Sequence, residues 1–202
     1  MANGYETMLL LAWFVMLLTL VSYRRFHLML TFFFFFSGFF LLVSHISQMD
    51  PQITPIMPVL HSPLLSIHVS VIMMSFALLS VTFICAVMAL MVHVIDKESE
   101  LPTSLQLLSQ LFLYPALALL AAGIFIGAVW ANVSWGQYWS WDPKEVWALI
   151  TLMCYAVAVH TKVFPIFLKP MAYHIFLVFA FLTILMTYFG VNYFLGGMHS
   201  YA

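Results

Sequence analysis

Six apolar segments run through this 202-residue chain, at roughly 6–23, 27–47, 64–95, 105–131, 144–164 and 171–195, and each is long enough to cross a bilayer, or nearly so. A helix needs about 20 predominantly apolar residues to span the hydrocarbon. Only 6% of the residues are charged, whereas a soluble domain carries roughly 25%, so water could not solvate a globule of this composition. The chain therefore reads as an all-α, polytopic transmembrane bundle of about six helices, with residues 1–202 forming a single integral membrane domain. The first segment is the shortest. The third is long enough to tilt or to project beyond the hydrocarbon. Pro63, Pro102 and Pro170 fall where helices start and a missing N–H costs little, whereas Pro115 lies inside the fourth segment and should kink it.

Orientation follows from the basic residues. Arg24 and Arg25 lie in the first loop, Lys97 in the third, and Lys162 and Lys169 in the fifth; only Lys144 falls in an even-numbered loop or at a terminus. Basic residues concentrate on the cytoplasmic side. Both termini are then expected outside, together with the loops 48–63 and 132–143. The first apolar run has no positive region before it, which argues for a retained helix over a cleaved signal. This orientation puts His45, His61, His68 and His199 near the outer face, and His27, His93, His160 and His174 toward the inner one. Imidazoles are costly in hydrocarbon, so eight of them need a reason. The net charge of −1 gives no footing for nucleic acid. Cys85 and Cys154 sit in apolar runs with no Cys-x-x-Cys pair, which points to packing and away from thiol chemistry.

The most informative stretch is Trp135-Gly136-Gln137-Tyr138-Trp139-Ser140-Trp141-Asp142-Pro143-Lys144-Glu145-Val146-Trp147, for five of the chain's six tryptophans lie between 130 and 147. Tryptophan belts occur at membrane interfaces, but they scatter one or two residues per helix end. Concentrated in 132–147, an outer loop and the start of the fifth helix, these residues offer a flat apolar platform for a large planar ligand. Asp142, Pro143 and Glu145 have the chemistry of an N-cap, a first helical residue and a third. Lys144 could attract a ligand carboxylate. His68 near the outer end of the third helix and His199 in the tail could clamp an iron from two sides, since heme iron accepts imidazole axially.

The run Trp135-Gly136-x-x-Trp139-x-Trp141-Asp142-x-Lys144-Glu145-x-Trp147 resembles the WWD motif of heme-handling proteins. Its Asp142-x-Lys144-Glu145-x-Trp147 ending is similar to the CcsA/ResC type of cytochrome c biogenesis protein, of system II. His68-Val69-Ser70, His160 and Gly197-Met198-His199-Ser200-Tyr201 match as well, so the resemblance covers roughly residues 55–202. It implies heme b, held non-covalently, with Trp135, Gly136, Tyr138, Trp139, Trp141, Asp142, Lys144 and Trp147 binding the macrocycle. His68 and His199 would ligate the outer heme iron and His160 an inner one. The second inner histidine would come from the partner, with His174, His27 and His93 as local alternatives.

The function implied is a heme transport and presentation subunit of a cytochrome c synthase. It would deliver heme across the membrane to the outer site, where the thiols of an apocytochrome c Cys-x-x-Cys-His segment add to the vinyl groups. A ResB/CcsB-like membrane subunit with a large outer domain would complete the assembly. The membrane would be the bacterial inner membrane or, alternatively, the thylakoid. A heme exporter or chaperone of the CcmC type is the nearest competing reading, and the Lys144-Glu145-x-Trp147 ending speaks against it. A membrane heme electron-transfer subunit is a third, disfavoured because the best histidine pair lies at the surface.

Overall fold

Prolines open the helices, as their fixed φ and missing N–H allow. The structure, a computed structural model, describes residues 4–22, 30, 34, 37–42, 45, 62–161, 163–195 and 197. Among these it is all helical, without strands. Helix α1 is Gly4–Ser22; α2 comprises residues 37–42, with 30, 34 and 45 also helical. Helix α3 is Pro63–Ile95 and α4 Leu101–Trp135. Helix α5 is Pro143–Val159, and a 3-10 turn, Pro165–Leu168, leads into α6, Pro170–Leu195. Pro63, Pro102, Pro143, Pro165 and Pro170 each stand in the first two positions of their helix.

Three of these helices, α3, α4 and α6, are long and apolar enough to cross a membrane, and the chain is an integral membrane protein. At 1.5 Å per residue the 33 residues of α3 and 35 of α4 reach about 50 Å, well beyond the roughly 30 Å of a hydrocarbon core. Helix α4 continues through Pro115 and stops where Gly136 turns left-handed (φ 80°), its N–H donating to Asn132 O at 2.9 Å. That conformation suits glycine.

Helix α5 stops earlier than its apolar composition predicts. The N–H groups of Val163 and Phe164 both donate to His160 O, and Pro165 bars its predecessor from the helical region. The last turns of α6, Met186–Leu195, are wound as π-helix, a wider winding frequent at functional sites.

Helix α3 is the axis of the core, buried from Met73 through Ala89 on most of its positions and packed against α1, α4 and α6. Phe83 stacks on Phe181 of α6 at 4.2 Å. Polar side chains also link the helices. Ser37 Oγ donates to Ala12 O, joining α2 to α1. Thr7 and Tyr188 share a hydrogen bond, which brings the start of α1 beside the last turns of α6.

Candidate functional site

The tryptophan segment is a rigid turn from α4 into α5. Asp142 caps α5: its Oδ2 accepts from Lys144 N at 3.2 Å, and Glu145 closes a capping box by accepting from Asp142 N at 3.1 Å. The Glu145 carboxylate does more than cap, because its Oε2 also accepts from Ser140 N at 2.9 Å. It thereby holds the residues on both sides of Trp141. Trp141 has φ +60°, a left-handed conformation that costs a non-glycine residue about 1–2 kcal/mol. This backbone turns its indole outward to 73% exposure, with Tyr138 at 60%. Trp139 meets Trp141 edge to face at 6.0 Å.

Trp135 is placed differently. As the last residue of α4 it packs edge to face on Trp130 at 4.8 Å, within a small cluster that includes Ala131 and the α3 residues Leu64 and Leu65. It secures the joint between α3 and α4 beneath the loop. Trp147 lies one turn into α5, and its carbonyl accepts from Thr151 and from Thr187 of α6. Lys144 Nζ donates to Asn192 Oδ1 at 2.8 Å, which ties the α5 start to the π-wound end of α6.

His68 sits one turn below Leu64, half-buried between α3 and α4, with Nδ1 2.8 Å from Gly123 O. The tail returns to the same place. A Cβ on Gly197 would collide with Asp142 Oδ1 and lie 3.2 Å from Pro143 Cδ, so only glycine passes this close to the cap. The chain two residues before His199 is thus against the loop; His199 itself, like His61 and His27, lies outside the described residues. The described parts of the predicted outer site, drawn from α3, the α4–α5 turn and the tail, converge on one end of the bundle.

His160 is not part of that convergence. It caps the far end of α5, 17 residues or about 25 Å from the loop. Its Nδ1 lies 2.6 Å from Ala156 O, and its ring is exposed. His174 is fully buried, with Nε2 3.0 Å from Pro102 O at the start of α4, so it joins α6 to α4. A carbonyl oxygen can only accept, which assigns the proton in each ring. Nδ1–H donates in His68 and His160, placing the lone pair on Nε2, and Nε2–H donates in His174. Nothing in the sequence marks Gly123, Gly127 or Asn192, whereas Ser140 stands inside the tryptophan run. Gly197 opens the family-like tail run, which points to the region but not to its close approach to the cap.

A helical membrane protein with a tryptophan-rich, capped turn and a histidine locked beneath it is a recognisable class. The family described as cytochrome C assembly protein matches residues 1–199, and the chain belongs to that family. Protein NrfI of Wolinella succinogenes is 37% identical over the whole chain, which spans 23% of that protein. The cytochrome c biogenesis protein CcsA of Chlamydomonas reinhardtii is 32% identical over the whole chain, which spans 60% of it. CcsA of Guillardia theta is 30% identical, again over the whole chain, spanning 76% of that protein. Within the family the chain is of the CcsA type.

Proposed function

We propose that this chain carries heme across a membrane and presents it at the outer face, as the heme-handling subunit of a system II cytochrome c synthase. Heme b, bound non-covalently, is its cargo, and an apocytochrome c segment is the acceptor. One observation carries the reading most: three segments distant in sequence bring His68, the outward-turned Trp141 and the Gly197 approach to one end of the bundle. The residues fit such a cargo. His68 bears its lone pair on Nε2, the nitrogen an iron would take, and the exposed faces of Trp141 and Tyr138 suit an apolar macrocycle. The loop end would face the outer side, following the basic residues, with His199 as the second axial ligand.

His160 would serve a second, inner position. Leu149, Met153 and His160 share one exposed face of α5, which supports a partner helix of a ResB/CcsB-like subunit supplying the opposing histidine there. Heme would pass from that position to the loop, where the chain's work is to hold and orient it while the thiols add. The membrane is that of a bacterium or a plastid.

His68→Ala is the direct test. The protein should accumulate but mature cytochrome c at least roughly 10-fold less, and lose the low-spin heme absorption of the outer site. Added imidazole should restore part of both by filling the vacant position. Unchanged maturation and spectrum in that variant would remove His68 as a ligand.

A further inference from the structure

Helices α3 and α4 run antiparallel, and their contact keeps a strict spacing. His68 Nδ1 meets Gly123 O at 2.8 Å. Seven residues further along α3 and seven back along α4, Ser75 Oγ donates to Ala116 O, also at 2.8 Å. Between and above these bonds α4 presents Gly123 and Gly127, four residues apart. The His68 ring lies in the gap left by Gly127. A Cβ there would stand 2.6 Å from its Cε1, 2.8 Å from Nδ1 and 3.3 Å from Nε2. One turn along α3, Ile72 fills the gap at Gly123, where a Cβ would stand 2.5 Å from its Cδ1. The Ile72 terminus is flexible, whereas the imidazole is tethered to a backbone carbonyl and cannot swing aside without breaking that bond.

We propose that Gly127 is a positioning residue for the outer heme: its missing side chain makes a slot on α4 that fixes the His68 ring, with the Gly123 carbonyl holding the tautomer that offers Nε2 to iron. An imidazole on an unconstrained helix samples several χ1 wells and both tautomers. Small residues let transmembrane backbones approach closely, and here that close approach orients a side chain as well as packing two helices. The inference rests on the reading of His68 as a ligand and adds how that ligand is held.

The test is Gly127→Ala in the full chain with its co-expressed partner, compared with His68→Ala and the Gly127→Ala/His68→Ala pair. Gly127→Ala should keep heme per protein within about two-fold while its outer heme turns from low to high spin, with maturation down roughly 10-fold, as for lost outer-shell support. If Gly127→Ala lowers abundance, removing the ring should relieve it, so the double variant should accumulate like His68→Ala alone. A normal low-spin spectrum in Gly127→Ala beside a defective His68→Ala would overturn the positioning role and leave the ligand reading intact. An abundance loss that persists undiminished in the double variant would assign Gly127 to helix packing alone and overturn the proposal too. Silence of His68→Ala in spectrum and maturation would remove the reading on which it rests.

Discussion

His68 at the loop end of the bundle and His160 at the opposite end make the same local bond, each donating Nδ1–H to a backbone carbonyl. What surrounds the two rings differs. The carbonyl that holds His68 belongs to another helix, and the ring is wedged against Gly127 of that helix. The carbonyl that holds His160 is Ala156 of its own helix, one turn back, and the ring faces outward. One end is assembled by the chain itself from three segments. The other presents His160 on an open face of α5, where the proposed reading has a partner complete the site. His174 shows the remaining use of an imidazole, as a buried bolt between α6 and α4.

The contrast is broken most forcefully at His160. His160→Ala removes an exposed ring whose hydrogen bond is to its own helix, so abundance should hold. Heme per protein should fall by at least roughly 10-fold if the ring is a metal ligand. Normal heme content, measured by pyridine hemochrome in membranes, would erase the difference between the two ends. A smaller effect of opposite kind is expected at His174. His174→Leu leaves Pro102 O without its donor, a loss of about 1–3 kcal/mol. Thermal unfolding of the purified protein should start lower while heme per folded protein stays constant; depleted heme would instead place His174 on the heme path.

The smallest effect lies in the loop. Asp142→Ala removes the α5 cap, worth about 1 kcal/mol, whereas Asp142→Asn retains a good capping group. The alanine variant should therefore melt lower and release outer heme faster on dilution, and the asparagine variant should match the parent. Equal behaviour of both would mean that the loop is held by something other than its cap.

The sequence made this cap legible because its chemistry is local. Asp142, Pro143 and Glu145 satisfy one another within four residues, and the structure has the capping box in full. The helix starts at Pro63, Pro102 and Pro170 were readable for the same reason. The hydropathy predicts α5 to run through Val163 and Phe164, whereas the helix ends at Val159, ahead of Pro165. The slot at Gly127 was beyond reach: two glycines in an apolar run mean little until the facing helix and its register are known. His174 and Pro102, 72 residues apart, pose the same difficulty. The tryptophan spacing predicts a platform that includes Trp141, but its left-handed backbone depends on Glu145 gripping both neighbours.

The spacing of the two α3–α4 hydrogen bonds makes that helix pair a ruler. Each residue inserted or removed in a helix rotates everything beyond it by about 100°. Between His68 and Ser75, or between Ala116 and Gly123, one amino acid could be exchanged for another apolar one with little consequence. A single deletion there would keep the hydropathy and the motif, yet swing the imidazole off its glycine. Across this family, chains that keep the histidine are therefore expected to vary in these stretches by letter and not by count, and their reading frame at the membrane is set by the distance between two carbonyls.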